Sequence, residues 1–149
     1  MLSKRNLVLV RAARAKPARN ADSTAPVSRR SRHTILLVED EPELLRANAR
    51  ALTQLGYQVL SASDGQAALK VWTQSRVVID LLLTDMRMPK GISGLQLAEQ
   101  LWETKPSLKV VIMSGYNTEI AAGREGPKRR YTFLPKPFDL ETLDKAVRS

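Results

Sequence analysis

From residue 34 onward, short apolar runs alternate with stretches of helical periodicity, and this rhythm constrains the fold more than any other feature of the chain. Ile35-Leu36-Leu37-Val38 is an unbroken apolar run, the pattern of a strand buried on both faces. It stops at Glu39-Asp40-Glu41, and Pro42 suits the first turn of a helix. Leu45, Ala49, Leu52 and Leu55 then recur at helical spacing until Gly56 ends the pattern. A second strand is predicted over 57–61. Ser63 or Asp64 can cap a helix running to about Ser75, with Ala68, Val71 and Trp72 on one face. Leu81-Leu82-Leu83-Thr84 predicts a third strand running into Asp85, followed by a Met-Pro-Gly loop over 86–94. The next helix turns Leu97, Ala98, Leu101 and Trp102 inward and ends at Lys105-Pro106. Val110-Val111-Ile112-Met113 is a fourth strand, closing on Ser114-Gly115. A short helix over 118–122, a basic loop over 123–130, a fifth strand over 131–134 and a last helix with Leu140, Leu143 and Val147 inward complete the chain. Five strands and five helices in strict alternation call for an α/β fold with a parallel sheet covered on both faces.

Composition bounds the chemistry. The chain has no cysteine and a single histidine, His33, which excludes thiolate sites and argues against a Ser-His-Asp triad. No apolar run approaches the roughly 18 residues of a membrane helix. Of the 24 basic side chains, nine lie in residues 1–32, with only one of the 15 acids. That segment therefore carries +8 of the net +9, and 33–149 is nearly neutral. Its one apolar cluster, Leu7-Val8-Leu9-Val10, is too short for a secretory signal. Residues 1–32 read as a basic, disordered extension, and 33–149 as one domain. The charge leaves open a loose attraction of the extension to nucleic acid or anionic lipid.

In an open parallel sheet, ligands bind beyond the carboxyl ends of the strands, where strand order reverses. The first strand delivers Glu39 and Asp40 there, the third Asp85, the fourth Ser114 and the fifth Lys136. If the order is 2-1-3-4-5, strands one and three are neighbours and their three carboxylates converge. At ~4 Å and an effective dielectric near ~20, each such pair repels by about 4 kcal/mol. Either one acid stays protonated or a cation sits among them, and a hard divalent ion such as Mg²⁺ needs only oxygen ligands. Together with the Lys136 ammonium and the Ser114 hydroxyl, the group is suited to holding a phosphoryl, with Asp85 as nucleophile. Singly, each residue also fits a helix cap, a turn or a solvated charge; the joint placement is what carries the reading.

The segments ILLVEDEP, LLLTDMRMPKGISG, VVIMSGY and FLPKPF resemble the receiver domain of two-component response regulators, over nearly all of 33–149. The resemblance implies a flavodoxin-like, doubly wound, five-stranded parallel sheet of order 2-1-3-4-5. It implies phosphorylation of Asp85 by a histidine kinase or a histidine phosphotransfer domain, in the cytoplasm. It further implies Mg²⁺ held by Asp40, Asp85 and the Arg87 carbonyl, with Glu39 acting through water. Ser114 matches the switch hydroxyl, Lys136 the lysine of a Lys-Pro pair that is often cis, and Phe133 the aromatic switch position. The loop over 89–94 is one residue longer than in chemotaxis-type receivers, and with the Ser-Gly-Tyr after it looks more similar to receivers at the C-terminus of hybrid sensor kinases. Phe133 lacks the hydroxyl that a tyrosine would bring, and the 123–130 stretch is more basic than usual. The resemblance implies a phosphoacceptor rather than an enzyme, with output expected through binding a partner or through passing the phosphoryl onward. The enzyme alternative is a Mg²⁺-dependent phosphatase with an aspartyl nucleophile. It would need an acid two residues after Asp85, where Arg87 stands. A phosphate-binding glycine loop is incompatible with Glu39-Asp40-Glu41-Pro42.

Overall fold

The computed structural model of the protein describes residues 33–115 and 130–149. Five strands form one parallel sheet: β1 (Thr34–Val38), β2 (Gln58–Ala62), β3 (Leu81–Asp85), β4 (Lys109–Ser114) and β5 (Thr132–Pro135). Their spatial order is β2-β1-β3-β4-β5, so the chain reverses direction of winding between β1 and β3, as expected from the residues. The registers Val38↔Thr84 and Asp85↔Met113 bring the ends of the three central strands to one rim. Four helices lie among the described residues: α1 (Pro42–Gln54), α2 (Gly65–Gln74), α3 (Gly94–Thr104) and α4 (Leu140–Arg148). The helix predicted over 118–122 and the basic extension over 1–32 lie outside the described residues.

The apolar runs are continuous because both faces of the sheet are covered. Leu36, Val38, Leu82, Val110 and Ile112 face α2 and α3 and pack with Ala68, Leu97, Ala98 and Leu101. Their alternating neighbours Ile35, Leu37, Leu83, Val111 and Met113 face the other way, onto Leu52 of α1 and Leu143 and Val147 of α4. Local signals set the helix ends. Pro42 opens α1, and the Asp64 carboxylate accepts from the Ala67 N–H (2.7 Å) at the start of α2. Ser93 and Gln96 make reciprocal bonds at the start of α3, and Asp139 accepts from the Thr142 N–H (2.8 Å) at the start of α4. Gly56, at φ +93°, takes the left-handed conformation that ends α1. One inward position differs from expectation. Leu140 is 45% exposed, because as the first residue of α4 it precedes the turn that meets the sheet.

Candidate functional site

The site is built by main-chain bonds that continue the sheet one residue past each strand. The Glu39 N–H donates to the Ala62 carbonyl (3.2 Å), the Met86 N–H to the Met113 carbonyl (2.9 Å), and the Lys136 N–H to the Ser114 carbonyl (2.7 Å). These extensions hold Glu39, Asp85, Ser114 and Lys136 on one rim as rigidly as strand residues. One carboxylate oxygen from each of Glu39, Asp40 and Asp85 lies within 4.8 Å of the other two. Lys136 enters the group from β5: its Nζ donates to Glu39 Oε2 (2.8 Å) and to Asp85 Oδ2 (3.2 Å). The Lys136–Pro137 peptide bond is cis.

Burial divides these groups. Glu39 is 1% exposed, an unusual place for a carboxylate unless it is paired. It accepts from Lys136 and, through Oε1, from the Glu41 N–H (3.3 Å). Asp85 keeps partial access to solvent and accepts the Arg87 N–H at Oδ1 (3.3 Å). Burial works to lower the pKa of Lys136, but the hydrogen bond to Glu39 and the charges of Asp85 and Glu39 outweigh it, so the ammonium is held above its usual value. Lys136 thus bridges two of the three carboxylates with one positive charge. Asp40, half-buried beside them, makes no salt bridge among the described residues. Three carboxylates facing a single ammonium leave negative charge uncompensated, and such a set of oxygen donors fits a hard divalent cation better than a transition metal.

Of the residues singled out from the sequence, Phe133 lies inside β5 rather than at this rim. The Ser114 hydroxyl, 2% exposed, donates to the Gly115 carbonyl (3.2 Å). Phe133, on β5, pairs in register with Ile112 and is half-buried, two strands over from Asp85 with β4 between them. Two supports were not singled out. An added Cβ on Gly94 would lie 2.1 Å from the Asp85 carbonyl oxygen and 2.9 Å from Thr84 Cγ2, so only glycine lets α3 start against the strand end. Met88, 6% exposed, anchors the loop between Asp85 and α3 in the core. A glycine at the first position of a helix, where propensity disfavours it, was the available signal for the first; nothing in the sequence marks the second.

The family profile of the response regulator receiver domain matches residues 35–148. A curated relative, the sensor kinase CckA of Brucella abortus, is 35% identical over 115 residues, 77% of this chain and 12% of the kinase. The chain spans 12% to 25% of the length of the first curated relatives it matches. Among solved structures, the receiver domain of the hybrid histidine kinase CckA is 39% identical with a TM-score of 0.62, over 77% of this chain and 95% of that one. The response regulator TrrA of Thermotoga maritima, solved in complex with Mg(2+)-BeF, is 27% identical with a TM-score of 0.64, over 78% and 96%.

Proposed function

The chain belongs to the response regulator receiver domain family, the phospho-accepting module of two-component systems, and we propose that Asp85 is its acceptor. The observation that carries this reading is the meeting of Glu39, Asp40 and Asp85 within 4.8 Å, with the Lys136 ammonium 3.2 Å from Asp85. The donor is a phosphohistidine on a histidine kinase or a histidine phosphotransfer domain. An Asp85 oxygen attacks phosphorus, the P–N bond breaks, and its electron pair returns to the imidazole, leaving an acyl phosphate on Asp85. Each carboxylate oxygen has two lone pairs, so the bonds from Arg87 and Lys136 orient Asp85 without consuming its nucleophilic capacity.

Asp40 and Asp85 would hold Mg²⁺ directly, the Arg87 carbonyl would complete the protein's share, and Glu39 would act through water. When bound, the ion offsets charge on the transferring phosphoryl oxygens. Lys136 neutralises a further oxygen and holds the acyl phosphate against the rim. Ser114 turns its hydroxyl from the Gly115 carbonyl to a phosphoryl oxygen. Phe133 fills the space this vacates, and the surface beside β4 and β5 changes shape for a partner.

The aspartyl-phosphatase alternative lacks its general acid. The residue two past Asp85 is Arg87, whose N–H donates to Asp85. The test is incubation with acetyl phosphate and Mg²⁺, followed by intact mass. The wild type is expected to gain one phosphoryl that hydroxide removes and mild acid does not, and Asp85→Asn none. Equal labelling of the two proteins rejects the assignment.

A further inference from the structure

A cavity of about 350 Å³ opens at the opposite rim of the sheet, among the residues that precede the strands. Its walls come from His33 before β1, Tyr57 before β2, Asp80 before β3, Lys109 at the start of β4, Lys105 and Ser107 after α3, and Val147 and Arg148 at the end of α4. Leu81, its nearest wall on β3, lies four strand steps from Asp85, roughly 13 Å at the usual strand rise. It therefore belongs to no part of the phosphoryl site.

The floor is apolar: Ile35, Leu81, Val147 and the ring of Tyr57. The charges on its rim are unequal. Asp80 is engaged, accepting the Thr34 N–H at Oδ2 (2.8 Å) with His33 Nδ1 at 3.6 Å. Arg148 is engaged as well, with its guanidinium on Asp144. The two lysines are different. Lys105 Nζ donates to the Ile79 carbonyl (2.6 Å) and Lys109 Nζ to the Ser149 carbonyl (3.4 Å). Among the described residues neither ammonium meets an Asp or Glu side chain. Each has three donors, so each keeps N–H groups beyond its one bond.

An apolar floor of this volume with a few polar groups at one side is the usual build of a small-molecule site. At roughly 30 Å³ per water, the space equals about twelve waters, enough for a body of two or three rings. We infer that this cavity binds a small organic anion, its apolar body on Ile35, Leu81, Tyr57 and Val147 and its oxyanion head between Lys105 and Lys109. A cation is disfavoured by the same two lysines. A fully polar anion would leave the floor unused.

The probe is 8-anilinonaphthalene-1-sulfonate, titrated into the whole chain while backbone amide shifts are followed by NMR. Shifts are expected to cluster at Ile35, Leu81, Lys105, Lys109 and Val147, and to persist in Asp85→Asn. Lys109→Gln is expected to weaken binding several-fold, and Lys105→Gln with Lys109→Gln about tenfold or more, near 1.4 kcal/mol. Because Lys105 also ties down Ile79, melting temperatures are recorded for both proteins, and the exposed Lys109→Gln change serves as the variant that leaves the fold intact. The uncharged analogue N-phenyl-1-naphthylamine is expected to bind about tenfold more weakly than the sulfonate. Shifts confined to another surface, undiminished binding by the Lys109→Gln protein, or equal affinity for the uncharged analogue each overturn the inference.

Discussion

At the scale of single residues, the rim carboxylates and Lys136 are mutually dependent. Removing the ammonium in Lys136→Met leaves Glu39, 1% exposed, without its counter-charge. Breaking a buried pair from one side costs about 3–5 kcal/mol, and the partial exposure of Lys136 puts the expected loss at about 3 kcal/mol. The pH dependence has a definite sign. The folded pKa of Lys136 lies above the unfolded value, so its contribution is complete below the ordinary lysine range and fades as pH rises through the raised value. Denaturant melts in EDTA are expected to show the wild-type advantage over Lys136→Met shrinking above about pH 10.5 and constant between about pH 7 and 9. Asp40 gives the opposite effect. As the carboxylate without a salt bridge, it is a net source of repulsion, so Asp40→Asn is expected to raise the melting temperature in EDTA. The same change is expected to abolish the further rise that millimolar Mg²⁺ gives the wild type. These residues were legible in the sequence because a parallel sheet sends whatever follows each apolar run to the same rim. The bridging of Glu39 and Asp85 by Lys136 was not, since it depends on side-chain reach across 97 and 51 positions of chain.

At the scale of elements, the start of α3 couples packing to chemistry. Ser93 and Gln96 form a reciprocal cap, and Gly94 sits hard against the end of β3. Ser93→Ala removes only the cap and is expected to cost about 1 kcal/mol in stability while phosphorylation at Asp85 continues at its normal rate. Gly94→Ala drives a methyl group against the Asp85 carbonyl and Thr84, contacts that the backbone cannot yield cheaply. It is expected to cost about 1–3 kcal/mol and also to slow labelling by acetyl phosphate, because Asp85 must move with its carbonyl. Equal labelling rates for the two variants would show that α3 docking and acceptor position are independent. The contrast explains what could be read locally. Caps and stops are written in adjacent residues, so Pro42, Gly56 and Asp64 were interpretable in isolation. The requirement at Gly94 comes from an atom on another element. The exposure of Leu140 likewise reflects where α4 meets the sheet rather than its own periodicity.

At the scale of the whole molecule, one sheet carries two rims of different character. The carboxyl rim gathers acids around a lysine; the amino rim gathers lysines around an apolar floor. The first was legible because all its members follow apolar runs. The second was not, because its walls come from residues that looked like ordinary solvated charges beside turns. The net charge adds a third region. Residues 1–32 carry +8 of the +9, and the family match begins only at residue 35. Fold and nonspecific electrostatics should therefore separate. A protein beginning at His33 is expected to keep cooperative unfolding and the Mg²⁺-dependent rise in melting temperature, since every bond described at the acidic rim lies within 33–149. It is expected to lose most of its salt-sensitive retention on heparin or duplex DNA, because that attraction scales with the number of cations that displace counterions. If the shortened protein is retained as strongly as the whole chain at every salt concentration, the attraction lies in the folded part, and the lysines of the amino rim become its first suspects.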